Sequence, residues 1–466
     1  MVKRSEHTAV LDIGKTHVKL NIIDHQNQIV FSRQMSNNVD YSQAYPCVDE
    51  DRIWRWFCET MQDASSTFSI TRLTTTTHGA TAALVDRNRI LEDGLVMPIL
   101  DYETKGIFEQ SKFYDEIRPK YDDTFSPNLP AGLNLGRQLY WLNDNYPEKF
   151  KEVTDILMYP QYWVWRLTGK CYGEKTSLGC HTDLWSVKNN NYSDLIENMG
   201  WQSLFPPVKP AWHECGPILP YIAQELGLTE ACEVYNGIHD SNASFLRYIL
   251  IEDKKPFTVI SSGTWTILMA SQVALNTLQQ EKDMLANIDA LGQPVACARF
   301  MGGREFELIC KQAGSWLGEQ FDEKDVQGVI DNSVFALPDF SDGSGPFGGK
   351  KSEFIGVVDR VSGIALATIY CALMIDYQLE LLKAEGTIYI EGAFLKNPML
   401  CALLQQLRPN QTIALSADNT GTVLGAAYLT RWHKVTGSIE VNQPALINVT
   451  GLDNYKQKWL QYLSKL

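Results

Sequence analysis

The sequence has no excess of positive charge, no close cysteine pair and no apolar run long enough to cross a bilayer. Its 41 Lys and Arg stand against 55 Asp and Glu, a net charge of −14. That balance argues against a nucleic-acid surface, because a phosphate backbone selects basic patches. Ten cysteines are scattered from Cys47 to Cys401 without a C-x-x-C. Neither a disulfide framework nor a zinc site is expected, and reduced thiols in a cytoplasmic protein are the reading. The polar start, Met1 to Thr8, offers no apolar leader region. The longest apolar stretch, Ile364 to Ile375, ends at Asp376 and reads as a buried core helix. No low-complexity tract or heptad run occurs, and no nucleic-acid or membrane partner is expected.

What is present is material for large cores, with 44% hydrophobic residues and 12 tryptophans in 466 residues. That length exceeds one ordinary core, so two domains are expected. Ala9 to Asp24 reads as strand, turn at Gly14-Lys15-Thr16, and strand, with Val18, Leu20 and Ile22 alternating. Phe257 to Ala270 repeats the pattern around Ser262-Gly263-Thr264, with Trp265, Ile267 and Met269 alternating. Each is a hairpin with a small, hydroxyl-rich tip, and each opens one half of the chain. Helical patterns follow, such as Arg52 to Ser65 and Gly363 to Glu385, giving an α/β reading. The division is placed at residues 1–247 and 248–466, near the polar segment Leu246 to Lys255.

Two glycine patterns are decoys. Gly14-Lys15-Thr16 would need the first P-loop glycine at Ala9, and its turn leads into a strand where a P-loop opens a helix. Gly343, Gly345 and Gly348 match G-x-G-x-x-G, yet Pro346 interrupts them and no strand precedes, so a loop is expected.

The residues that suit chemistry cluster at the hairpin tips. Asp12 to Thr16 offers a carboxylate, a glycine turn, a cation and a hydroxyl within five residues. Gly14 lets backbone approach a phosphate, Lys15 and Thr16 can donate to its oxygens, and Asp12 can hold magnesium. An ordinary hairpin turn is the plainer alternative. The second tip, with Gly263 between the hydroxyls of Ser262 and Thr264, makes a paired phosphate clamp of the two. Asp240, in Gly237-Ile238-His239-Asp240, stands in a glycine-led turn just before an apolar helix and on its own reads as that helix's N-cap.

The paired hairpins resemble the actin, hexokinase and heat-shock ATPase superfamily, in which two ribonuclease-H-like domains pinch ATP. Within it the chain resembles the FGGY carbohydrate kinases. Gly237 to Asp240 is similar to that family's G-x-x-D element, and Gln138 to Asn145 to its K-L-x-W-L-x-x-N signature, with Gln138 replacing the lysine. Tyr162 to Gly169 resembles Y-x-x-x-x-L-T-G, and Thr176-Ser177 falls where a T-D-A-S-like stretch stands. Glu391-Gly392-Ala393 with Asn397 resembles the adenosine loop G-G-G-x-x-x-N, and Gly421 to Ala427 the helix that closes the second domain. There are departures. Asp342-Gly343-Ser344 replaces G-E-R in a P-x-x-x-G-E-R-x-P segment, and Leu100-Asp101-Tyr102-Glu103 replaces W-x-D-x-R.

The resemblance implies an actin-like ATPase fold with ATP in a cleft between two α/β domains, completed by domain closure. It implies Asp240 as the base, Asp12 and Asp240 at magnesium, and phosphates on Gly14, Lys15, Thr16, Ser262, Gly263 and Thr264. The nucleoside falls to Gly392, Ala393 and Asn397. His78 and Gly79, in a Thr-His-Gly turn like the M-H-G turn of xylulose kinases, are expected at the sugar with Asp101 and Asp240. Arg304 is a further candidate there, or a surface ion pair with Glu305 or Glu307. Cys180-His181-x-Asp183 is not expected to bind metal, and Trp54, Trp56, Trp163 and Trp165 read as core rather than sugar platforms. The expected reaction is ATP- and magnesium-dependent phosphorylation of a ketose, a 6-deoxyketohexose such as L-rhamnulose or L-fuculose, or a pentulose such as xylulose. The alternatives are a polyol kinase, a silent sugar sensor of the same fold, and a chaperone-type ATPase, for which no peptide-binding region remains. The partner is a small sugar, and the oligomeric state stays open, with a homodimer as one candidate.

Overall fold

The computed structural model describes residues 6–106, 112–341, 343–416, 420–434 and 439–466. Met1–Ser5 and Asp342, both used in the sequence reading, lie outside them. The chain divides into two units. The first comprises Met1–Ile251, Ala286–Gln293 and Thr420–Gly437, and the second Glu252–Leu285, Pro294–Asn419 and Ser438–Leu466.

In the first unit, β1 (Glu6–Ile13) is buried along all but its first residue, because both faces of its sheet are covered. It pairs antiparallel with β2 (His17–Ile23), which pairs with β3 (Ile29–Ser36). On its other side β1 runs parallel to β4 (Ser69–Thr77). β5 (Glu214–Pro217) and β6 (Glu233–Tyr235) extend the sheet, and the short β7 (Ile238–His239) also lies parallel to β4. The order is β5-β6-β4-β1-β2-β3.

Helix α1 (Glu50–Thr67) starts at the Asp49 cap and buries Ile53, Phe57, Met61 and Ala64, one stripe at helical spacing. α2 (Leu135–Asn145) carries the Gln138 signature. α3 (Tyr159–Thr168) is wholly buried and ends at Gly169 in the left-handed region. Trp163 and Trp165 are fully buried within it, and Trp54 stacks on Trp163, so these tryptophans are core. Ala9, Leu11 and Ile13 face the cluster built with α1 and α3. Val10 faces the opposite one, which holds Ala243 and Leu246 of α4 (Asp240–Glu252). By strand alternation Asp12 shares the face of Val10, the face that α4 covers.

The second unit repeats the plan. β8 (Phe257–Ser262), β9 (Thr266–Ser271) and β10 (Pro294–Phe300) are antiparallel neighbours. β11 (Thr387–Gly392) lies parallel to β8, and β12 (Ile413–Leu415) parallel to β11. The second tip is Gly263-Thr264-Trp265, because Ser262 remains paired in β8. α5 (Gly302–Gln312) and α7 (Pro398–Leu407) flank α6 (Gly363–Leu382). α6 is long and apolar enough to cross a membrane by composition, but it is mostly buried here as the core helix its sequence suggests. Its one buried acid, Asp376, pairs with Arg408 at 2.6 Å and Lys456 at 2.5 Å.

Two segments depart from the division at residue 247. Ala286–Gln293 packs in the first unit, where the Ala286 amide donates to the Phe125 carbonyl. α8 (Gly421–Leu429) lies on β1 and β4, not on the second sheet as its sequence position suggests. Its small residues are the reason. Gly425 rests directly on the backbone of Ala243, an approach that a side chain would prevent.

Candidate active site

Three parallel strands of the first unit end together. Register pairs Ile13 with Thr77 and Thr77 with His239, so Gly14, His78 and Asp240 leave the sheet at the same edge. The carboxyl ends of parallel strands are where open α/β sheets bind ligands.

Asp240 opens α4, where the helix dipole favours a negative charge. Its Oδ1 accepts from the Ser241 amide at 2.6 Å and the Ser241 hydroxyl at 3.2 Å, and His239 Nε2 stands 3.2 Å away. The Asn242 side-chain amide lies 3.2 Å from His239 Nδ1. With that amide donating, Nδ1 is the acceptor and the ring hydrogen sits on Nε2, toward Asp240. Burial lowers the His239 pKa, so the ring is neutral. The Thr176 hydroxyl accepts the His239 amide at 3.1 Å and donates to Glu174 at 2.5 Å, which anchors this turn. Oδ1 is thus fully engaged, and Oδ2 takes no protein partner among the described residues.

Gly79 serves by what it lacks. A Cβ there would lie 2.9 Å from His239 Nε2. His78 is buried, and its Nδ1 sits 3.1 Å from the Gly79 carbonyl, leaving Nε2 as an acceptor. Burial also lowers the His78 pKa, and the charges of Asp240, Lys15 and Asp101 all act on it. Its ring lies 5.4 Å from that of Tyr102 and 5.2 Å from that of Tyr159. Gln138 donates to the Ala80 carbonyl at 2.7 Å and to Gly132 at 2.5 Å, so the residue that departs from the family lysine pins the His78-Gly79 turn.

Asp12 is 7% exposed, and its carboxylate takes no hydrogen-bond partner among the described residues. Burial and then the Asp240 charge push its pKa up to about 7. Two neighbouring carboxylates, one buried and unpartnered, form a setting that a divalent cation relieves, and magnesium commonly takes only one or two carboxylates. The residues present therefore fit magnesium. At the first tip the Gly14 amide closes the hairpin onto the His17 carbonyl at 2.9 Å. Lys15 pairs with Asp101 and lies 3.6 Å from Glu103.

The second unit carries a cavity of about 1070 Å³, floored by Gly263, Thr264 and Gly303. Phe306, Leu317 and Phe321 supply apolar wall, and Ala393, Phe394 and Asn397 close the other side. Gly392 holds φ +83°, and a Cβ there would strike the Ser262 backbone, so only glycine lets β11 turn into this wall. Two expected donors are already engaged. The Ser262 hydroxyl donates to the Glu391 carbonyl at 2.5 Å and accepts the Phe394 amide at 2.9 Å, tying β8 to β11. The Asn397 side chain caps α7 through Leu400 and donates to Thr368, so it lines the cavity as a fixed wall. Arg304, in the second unit, lines this cavity too, in an exposed pair with Glu307 at 3.6 Å.

Tyr102, Tyr159, Phe306 and the wall Leu317–Phe321 were not singled out from sequence. Only Tyr102 left a trace, within the departing Leu100–Glu103 segment. Asp183, in the Cys180-His181-x-Asp183 group, accepts from Tyr114 at 2.7 Å and Arg118 at 2.9 Å and is part of a structural network.

Each unit builds its sheet on one plan: three antiparallel strands, then parallel ones beside the first strand. That doubled arrangement is the ribonuclease-H-like unit of the actin-like ATPase fold. The N-terminal domain model of the FGGY family of carbohydrate kinases matches residues 8–246. The C-terminal domain model of carbohydrate kinase FGGY matches residues 254–438. The chain belongs to the FGGY family of carbohydrate kinases. A solved carbohydrate kinase from Novosphingobium aromaticivorans is 29% identical, with 99% of each chain covered and a TM-score of 0.89. The L-fuculokinase of Salmonella typhi is 26% identical over 294 residues, 60% of either chain. The chain therefore spans about 60% of that curated relative's length. A ligand-bound xylulose kinase from Lactobacillus acidophilus, 16% identical, covers 99% of this chain and 97% of its own, with a TM-score of 0.78, and shares the fold.

Proposed function

We propose that this protein transfers the γ-phosphoryl group of ATP to a hydroxyl of a neutral ketose, with Asp240 as general base. The carrying observation is the Asp240 carboxylate, held at one oxygen by Ser241 and His239 and open at the other. Oδ2 accepts the proton of the acceptor hydroxyl as that oxygen attacks phosphorus, a task suited to a fixed carboxylate. His78 Nε2 accepts from a second sugar hydroxyl, and Asp101 and Gly79 complete the acceptor side. Asp12, with Asp240 beside it, would hold magnesium, which when bound offsets charge on the transferring phosphoryl group. On the nucleotide side, Gly263 and Thr264 meet phosphates, with Gly14 and Thr16 serving the first hairpin. Ala393 and the Asn397 wall border the nucleoside, and Gly392 shapes the turn that brings them there. The Ser262 hydroxyl, engaged between β8 and β11, serves the sheet instead.

The cavity beside Thr264 supports the nucleotide assignment, since its size and mixed lining suit a nucleoside. Ala393 is exposed on that wall, so Ala393→Phe should fill the cavity without disturbing a core. The expected result is a rise in the KM for ATP of about tenfold or more, the scale of one lost apolar contact set, with sugar affinity unchanged. An unaltered KM for ATP would remove the cavity from the nucleotide site.

The similarity to an L-fuculokinase supports a 6-deoxyketohexose as acceptor, L-fuculose or L-rhamnulose before a pentulose. The charge of the site supports neutrality. On the acceptor side Asp101, Glu103 and Asp240 outnumber Lys15, and the two histidines are neutral. A sugar acid meets like charge at low dielectric. ADP release should therefore respond to ketoses and not to aldonates of equal length. Equal turnover of both would refute the neutral-acceptor assignment. Ten cysteines, nine of them buried and none in a disulfide, fit a reducing, cytoplasmic setting.

A further inference from the structure

We infer that Lys15 serves the sugar rather than the nucleotide: it is a positioning residue that holds Asp101 in place on the acceptor side. The inference rests on the sugar-kinase reading above and assigns a role to a residue whose place in a phosphate-like hairpin suggests otherwise.

Lys15 sits at the tip between β1 and β2, yet its side chain turns away from phosphate duty. Its ammonium is in an ion pair with Asp101 Oδ2, lies 3.6 Å from Glu103 Oε2, and stands 5.0 Å from the centre of the Tyr102 ring. Three consecutive residues thus surround one cation. The Asp101 side chain is 9% exposed, and its other oxygen already accepts the Glu103 amide at 2.9 Å. Withdrawing Lys15 toward a phosphate would leave a largely buried carboxylate unpaired, which is strongly unfavourable. The Tyr102 ring in turn packs against His78, so Lys15, Tyr102 and His78 form one continuous wall. The sequence points the same way. Leu100–Glu103 carries no arginine where the family pattern W-x-D-x-R has one, and a cation arrives at the same segment from the hairpin, 86 residues earlier. Phosphate binding at this tip is left to backbone, since the main-chain amides of Lys15 and Thr16 donate to no partner among the described residues.

The test is steady-state kinetics on Lys15→Met and Lys15→Arg, with ATP and sugar varied separately, and calorimetry with the sugar alone. Lys15→Met should raise the sugar KM and Kd by about tenfold or more, the scale of one lost charged contact, and leave the KM for ATP within about twofold. Lys15→Arg should recover part of the loss. In an Asp101→Asn background, Lys15→Met should add little, because the two act as one unit. A rise in the KM for ATP with sugar affinity intact would overturn the inference. So would additive losses, or no change in either constant with the melting temperature preserved. Failure of the wild type to turn over any sugar would instead remove the kinase reading. In that case the calorimetric comparison of wild type with Lys15→Met still decides the role of Lys15, and a wild type that binds no sugar overturns both.

Discussion

Asp240→Asn is expected to lower kcat by about 10² to 10⁴, the range that a positioned general base contributes, while sugar binding stays within a few-fold of wild type. The asparagine keeps an oxygen for the Ser241 amide and for His239, so the turn and helix α4 should hold. What is lost is the negative oxygen that takes the proton. Stopped turnover with retained calorimetric binding separates loss of chemistry from loss of fold. Turnover near the wild-type rate would remove Asp240 as the base and leave its carboxylate as a helix-terminal residue. His239 is neutral and points its hydrogen at Oδ1, so it orients the carboxylate without competing for the substrate proton.

The largest stability effect is expected in the second unit. Asp376 is 1% exposed and joins α6 to Arg408 beyond α7 and to Lys456 in the last helix. Asp376→Ala leaves two mostly buried cations with only the exposed Glu380, 3.4 Å from Arg408 and 3.9 Å from Lys456, as counter-charge. The cost should be about 3 kcal/mol, the low end for breaking a buried pair because both cations retain some access to water. For a unit of this size the melting temperature should then fall by on the order of 10 °C. Calorimetric melting checks it. A change below about 1 kcal/mol would place the group among the weak surface pairs instead.

How far the site could be read in advance depended on the range of the interactions. The hairpin tips and Asp240 are local features. A glycine between hydroxyls with alternating strands on either side announces a tip, and an acid between a short strand and an apolar helix announces a strand-end carboxylate. α6 was equally plain, since an apolar run closed by one acid can hardly be anything but a core helix. What local sequence does not express is pairing across long stretches of chain. Ser262 looks like a phosphate donor until β11, 129 residues beyond β8, arrives to claim its hydroxyl. Asn397 reads as a nucleoside contact until its cap on α7 and its bond to Thr368 are seen. Lys15 reads as a phosphate ligand for the same reason, because Asp101 lies 86 residues away. α8 packs in the first unit because helix–sheet packing is decided by the fit of Gly425 to Ala243, which sequence order does not express.

Phosphoryl transfer to a sugar is the activity to test first. The most direct measurement is to incubate the protein with Mg-ATP carrying a labelled γ-phosphate and a panel of neutral ketoses, and to follow the label. The prediction is that label appears on one ketose, with ADP released in equal amount and no transfer in Asp240→Asn. Sugar binding without any transfer of label across the panel would contradict it, and would make the protein a sugar sensor built on a kinase fold.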